Sequence, residues 1–112
     1  MAQNKKDEFR IQEREVAEFA KLLSHPARIA ILETLAKRKS CVCGEIVEVL
    51  PLSQATVSQH LKELKLAGLI IGEVEGNASC YCIDWENLER AKQNLDNLFI
   101  ELFENKTTEN CC

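Results

Sequence analysis

Apolar residues recur at helical spacing in five stretches of the chain and alternate with polar ones in two short runs. Over residues 5–23, Phe9, Val16, Phe19, Ala20 and Leu23 mark one face of a heavily charged segment, which predicts an amphipathic helix. Ser24 suits the cap of a second helix and Pro26 its first turn; that helix carries Ile29, Ile31, Leu32 and Leu35 and runs into the basic cluster Lys37-Arg38-Lys39. Gly44 opens a third, with Ile46, Val47, Val49 and Leu50 toward the core, and Pro51, which lacks a backbone N–H, stops it. Ser53 caps a fourth with the core stripe Val57, Leu61 and Leu64, and Gly68 is its expected C-terminal stop. Residues 69–75 and 79–83 are strand-like and flank Gly76-Asn77, so they read as a β-hairpin. A fifth amphipathic helix spans 85–103, with Leu88, Ala91, Leu95, Leu98, Phe99 and Leu102 along one side. Residues 104–112 are polar and are expected to form a mobile tail that carries Cys111 and Cys112.

No repeat, low-complexity segment or Pro/Gly-rich linker interrupts this pattern, so residues 1–112 are expected to form one domain, mainly α with a small β-hairpin. A domain this size buries a limited core, and pairing with a second copy would add stability. No apolar run approaches the ~18 residues that a bilayer span needs. The N-terminus lacks the apolar stretch of a signal peptide, so a cytoplasmic address is expected. Six cysteines fall in three close pairs, Cys41/Cys43, Cys80/Cys82 and Cys111/Cys112. Because helical patterning already supplies a core and no export signal is visible, reduced thiols are expected rather than a disulfide framework.

The net charge of −4 argues at first against nucleic acid. Its distribution changes that reading. Residues 21–65 carry seven basic groups (Lys21, Arg28, Lys37, Arg38, Lys39, Lys62, Lys65) and four acidic ones (Glu33, Glu45, Glu48, Glu63), hence +3, whereas residues 66–112 carry three basic and nine acidic groups, hence −6. A locally basic centre can bind phosphates while an acidic remainder limits non-specific binding. That centre holds a short helix, a tight turn and a second helix that begins with small polar residues, the pattern of a helix-turn-helix. Gln54, Thr56, Ser58, Gln59 and His60 suit contact with base edges, and Lys62 and Lys65 are better placed for phosphate. On an isolated helix the same polar face would be compatible with simple solvation; the turn, the preceding helix and the hairpin in this order favour DNA.

Leu23-Ser24-His25-Pro26-Ala27-Arg28-Ile29-Ala30-Ile31-Leu32 resembles the second-helix signature of the arsenic-repressor (ArsR) family of winged-helix regulators. Ser53-Gln54-Ala55-Thr56-Val57-Ser58-Gln59-His60-Leu61, then Leu64 and Ala67-Gly68-Leu69-Ile70, resembles its recognition helix and the start of its wing. The resemblance covers roughly residues 18–83. It implies a winged helix-turn-helix with five helices, a homodimer joined through its first and last helices, and a bacterial repressor that binds inverted-repeat double-stranded operator DNA and releases it when an inducer binds. Trp85, Leu95, Leu98, Phe99 and Leu102 could then supply the interface, or else intramolecular core. One departure concerns the wing: wings in this family usually carry basic residues, but here the hairpin holds Glu73 and Glu75, with no lysine or arginine between Leu66 and Glu89.

Cys41-Val42-Cys43, if extended, places both thiols on one face because strand side chains alternate. Cys43 would lie at the start of the third helix, where free N–H groups and the helix dipole favour a thiolate. Two convergent thiolates suit soft, thiophilic ions. The segment resembles the arsenite/antimonite motif of the family, but the family's third cysteine position is Ile46 here. The resemblance therefore implies As(III) or Sb(III) as inducer at Cys41 and Cys43, with Cys111 or Cys112 as first candidate for a third ligand. A monomethylated arsenical, which needs only two thiols, fits equally. Cys80 and Cys82 also share a strand face and could chelate a metal or serve as small buried hydrophobes. Zinc is less well matched, since only His25 and His60 are present. Two rivals remain open: a thiol redox or persulfide sensor of the same fold, and a thiol metal carrier or interaction module that does not bind DNA. No nucleophile–base pair, phosphate loop or paired-carboxylate pocket points to an enzyme.

Overall fold

The computed structural model describes residues 8–38, 42–43, 50–75 and 78–107, with the backbone alone at 42–43, 73–75 and 78–79. In chain order these form α1 (Ile11–Leu22), α2 (Pro26–Lys37), β1 (Val42–Cys43), α3 (Gln54–Leu66), β2 (Ile70–Glu75), β3 (Ala78–Ile83) and α4 (Trp85–Glu104). Of the helix expected from Gly44, residues 44–49 lie outside the described residues.

Local chemistry sets the helix ends. α1 begins at Ile11, later than expected, because Glu13 closes its N-terminus: its carboxylate accepts the backbone N–H of Arg10 at 3.0 Å and pairs with the Arg10 guanidinium at 3.4 Å. Residues 8–10 accordingly stand outside the helix. Pro26 occupies the first turn of α2 as expected, but His25 takes the cap position instead of Ser24. A residue that precedes proline is driven to extended backbone, and His25 has φ −111° and ψ 126°. The Ser24 hydroxyl donates instead to the Lys21 carbonyl at 2.7 Å, so it serves the end of α1.

Ser53 caps α3 as expected, its hydroxyl oxygen accepting the Thr56 N–H at 3.3 Å. α3 ends in a Schellman motif. The Gly68 N–H donates to the Lys65 carbonyl at 3.0 Å and the Leu69 N–H to the Leu64 carbonyl at 3.1 Å. The motif needs a left-handed residue, and Gly68 has φ +84°.

The hairpin forms, with Ile70 opposite Ile83 and Glu75 opposite Ala78. The chain adds one feature to it. β1 pairs antiparallel with β3, so the sheet has three strands in the order β1-β3-β2. The sheet turns Ile70 and Ile83 into the core, where both are buried, and leaves Ile71 exposed on the opposite face.

The core joins Ile31 and Leu35 of α2, Val57, Leu61 and Leu64 of α3, and Leu69, Ile70 and Ile83 of the wing. Ile31, Val57 and Leu64 are fully buried, each contributing about 1.5–3 kcal/mol by leaving water. Ile29, expected on this face, is exposed instead. α4 packs along α1 but buries none of its residues fully, and Trp85, Phe99, Ile100, Leu102 and Phe103 are all exposed.

Candidate nucleic-acid interface and thiol ligands

α3 buries the Val57-Leu61-Leu64 stripe against α2 and the wing, which turns its other face outward. Gln54, Thr56, Ser58, Gln59, Lys62 and Lys65 are all exposed there. At about 1.5 Å per residue, the 13 residues of α3 make a rod of about 20 Å, enough to cross a major groove about 12 Å wide. The start of this face is held by the capping turn, with the Ser53 and Thr56 hydroxyls 2.9 Å apart. The Gln59 amide donates to the Glu63 carboxylate at 3.0 Å, which leaves its carbonyl oxygen as acceptor.

His60, expected at this surface or just beneath it, is half-buried and engaged inward. Arg28 Nε donates to His60 Nδ1 at 3.2 Å, and the His25 ring lies 5.4 Å away, tilted by 46°. An Nδ1 that accepts a hydrogen bond belongs to a neutral ring with its proton on Nε2. Burial, first, and then repulsion from Arg28 and His25 lower the His60 pKa below the usual histidine value, against a smaller opposing pull from Glu63. Sequence patterning did not reveal this α2–α3 link, because Arg28 and His60 are 32 residues apart and neither belongs to an apolar stripe.

The wing is fixed to α3 and α4 by a few polar bonds. The Asn87 amide donates to the Gly68 carbonyl at 2.9 Å and to the Asp84 carboxylate at 3.1 Å, while Asp84 caps α4 by accepting the Asn87 N–H at 3.1 Å. Tyr81 lies over Gly72: a Cβ at Gly72 would stand 2.7 Å from the ring, so a side chain there would displace it.

Of the thiols expected to bind metal, Cys41, Cys111 and Cys112 lie outside the described residues, and Cys43 is placed by its backbone in β1, directly opposite Cys80. Cys80 is disulfide-bonded and Cys82 keeps its thiol. Both are half-buried. Among the described residues no three His, Cys, Asp or Glu side chains converge to hold an ion. A groove of about 610 Å³ between the helices is lined in part by Glu18, Leu22, His25, Arg28, Asn87 and Arg90, with no cysteine. No described helix is long and apolar enough to cross a membrane.

A helix-turn-helix domain family matches residues 23–73, which spans α2, α3 and most of β2. The chain is 35% identical over 83 residues to the arsenical resistance operon repressor of Staphylococcus xylosus, covering 74% of this chain and 79% of that protein. It superposes on the crystal structure of Rv0081 from Mycobacterium tuberculosis with a TM-score of 0.60 and 34% identity, over 85% of this chain and 99% of that one. It also matches the solution structure of Mb0332 from Mycobacterium bovis, described as a homodimeric winged helix-turn-helix DNA-binding domain, with a TM-score of 0.61 and 25% identity over 97% of both chains. The order of helices, the Schellman turn into a wing and these likenesses agree: the chain belongs to the arsenic-repressor (ArsR) family of winged helix-turn-helix DNA-binding transcriptional regulators.

Proposed function

We propose that the chain is a metalloregulatory repressor: a homodimer that holds inverted-repeat operator DNA and lets go when As(III) or Sb(III) is bound by cysteine thiolates, Cys41 and Cys43 first among them. The observation that carries this reading is the position of β1. Cys43 sits on a strand paired to the wing, and the wing is joined to the recognition helix α3 through the Gly68 turn. Drawing thiols around an ion at β1 therefore acts on the element that sets the attitude of α3. The likeness to an arsenical resistance repressor supports the choice of inducer. The exposed apolar residues of α4, with the homodimeric state stated for Mb0332, support the dimer. Two-fold symmetry would present two α3 helices about one DNA turn, roughly 34 Å, apart.

Because the ion must favour the state that releases DNA, the coupling is reciprocal: operator DNA weakens arsenite binding by the factor by which arsenite weakens DNA binding. Cys41→Ser and Cys43→Ser variants should hold operator DNA as the parent does and stay bound when arsenite is added. Release at the parental arsenite concentration would remove the assignment.

The disulfide at Cys80 favours a second reading, a thiol redox sensor. Two thiols would give up two electrons and two protons to a peroxide, forming one S–S bond and two waters. Peroxide added to the reduced, metal-free protein on operator DNA separates the readings, since only a redox sensor would then release.

A further inference from the structure

The groove of about 610 Å³ falls within the roughly 300–1,000 Å³ of small-molecule sites. It lies between α1, the start of α2, the C-terminal end of α3 and the first half of α4. Its apolar lining includes Phe19, Leu22, Leu69 and Ala91, all buried or half-buried. The exposed apolar cluster of α4, Phe99, Ile100, Leu102 and Phe103, lies on the other half of that helix, outside the groove.

Charged groups of both signs line the groove, but they are not equally engaged. Glu15 accepts the Asn94 amide at 2.6 Å and Glu63 accepts the Gln59 amide at 3.0 Å, so two carboxylates are taken up by neutral donors. Among the described residues no carboxylate pairs with Lys21, Arg28 or Arg90, and Glu18 is the one lining carboxylate left to balance them. Arg28 matters most because it is half-buried, where a cation without a counter-charge is costly. Its Nε is given to His60 Nδ1 at 3.2 Å. The two terminal nitrogens remain, and guanidinium nitrogens in pairs grip a carboxylate by two parallel bonds. The neighbouring ring of His25, also in the lining, brings no negative charge to it.

We propose that this groove is an effector site, separate from the thiols, for a small organic carboxylic acid with an apolar body. The carboxylate pairs with the Arg28 guanidinium, Lys21 and Arg90 add attraction from the rim, and the body covers Phe19, Leu22 and Ala91. Arg28 is also the arm that α2 extends to α3. A ligand that draws its guanidinium into the groove pulls on the bond to His60 and, through it, on the recognition helix. Occupancy therefore changes operator affinity, and operator DNA changes ligand affinity by the same factor. No cysteine lines the groove, so this site stands or falls independently of the arsenite reading.

The test uses the full chain, reduced and metal-free. The probes are 2-naphthoate, its neutral counterpart 2-naphthamide, and inorganic phosphate as an anion without an apolar body. NMR should show Overhauser contacts from the naphthoate ring to the methyl groups of Leu22 and Ala91. The amide and phosphate should bind about tenfold more weakly or worse, and R28Q should lose about tenfold or more in naphthoate affinity, the size of a lost hydrogen bond to a charged group. Saturating naphthoate should change operator affinity by about fivefold or more in the parent and by less in H60Q. Absence of binding at millimolar naphthoate overturns the proposal. Equal binding of the amide removes the carboxylate–Arg28 pair, and equal binding of phosphate removes the apolar subsite; either overturns it too. So do ring contacts to Phe99 and Phe103 in place of Leu22 and Ala91. Contacts from a second copy to Leu22 and Ala91 in a mixed-label sample would make the groove part of the dimer and overturn it as well. Operator affinity that naphthoate leaves unchanged overturns the effector role. Should R28Q fail to fold by circular dichroism, the ring contacts and the comparison of acid with amide in the parent decide.

Discussion

Gly68→Ala tests the turn that joins the recognition helix to the wing. Gly68 has φ +84°, where an L side chain costs about 1–2 kcal/mol. A Cβ there would stand 3.1 Å from Asn87 Nδ2, the atom that donates to the Gly68 carbonyl at 2.9 Å. Shifting that amide weakens a half-buried hydrogen bond, for about 0.5–1.5 kcal/mol. Alanine also restricts the unfolded chain, which offsets about 0.4–1 kcal/mol. The net expectation is a loss of roughly 0.5–3 kcal/mol, or roughly 2–20 °C in Tm for a domain of this size. Urea unfolding followed by circular dichroism at one fixed protein concentration measures it, the concentration being held because a dimer's stability depends on it. Gly68→Asn should cost less, since asparagine tolerates the left-handed region better. Adding Asn87→Ala to Gly68→Ala should cost less than the sum of the single losses, because both act on one bond. A Gly68→Ala protein within about 0.5 kcal/mol of the parent would refute the reasoning.

Lys62→Ala or Lys65→Ala should weaken binding to operator and random DNA alike and reduce the slope of log affinity against log salt by about one for each phosphate no longer neutralised; an unchanged slope would take these lysines off the backbone. His60 supplies a pH dependence whose sign follows from its lowered pKa. The unfolded chain binds the proton first, so its contribution to stability is complete above the usual histidine pKa of about 6.5 and is lost as pH falls through the lower folded value. Arg28→Gln should raise the His60 pKa, read from the ring protons by NMR; titration of parental His60 at or above the usual value would contradict the neutral ring. Phe99→Glu places a charge on the exposed apolar side of α4 and should shift the protein toward monomer in sedimentation and weaken operator binding; a dimer that persists unchanged would move the interface elsewhere.

Much of the architecture was legible along the chain because it is local. The Val57-Leu61-Leu64 stripe, Pro26 at a helix start, the Ser53 cap and the stop at Gly68 each follow from backbone chemistry within a few residues, and all stand in the structure. Where two local options competed, as between Ser24 and His25 at the start of α2, the proline's constraint on its predecessor gave the cap to His25 and outweighed the better capping side chain. The polar face of α3 was equally legible, since helical periodicity assigns every residue a side. His60 is held just beneath that face by an arginine from another helix, a contact that periodicity does not report.

The sequence by itself determined which residues carry chemistry: a groove-sized polar helix face and three pairs of thiols. Only the tertiary structure brought members of two of those pairs, Cys43 and Cys80, onto neighbouring strands. Strand pairing of β1 with β3 joins segments nearly forty residues apart through backbone hydrogen bonds that carry no signature of their partner, and it is what sets Cys43 opposite Cys80. Periodicity along a chain reports the face on which a side chain lies, and register between strands reports what it faces.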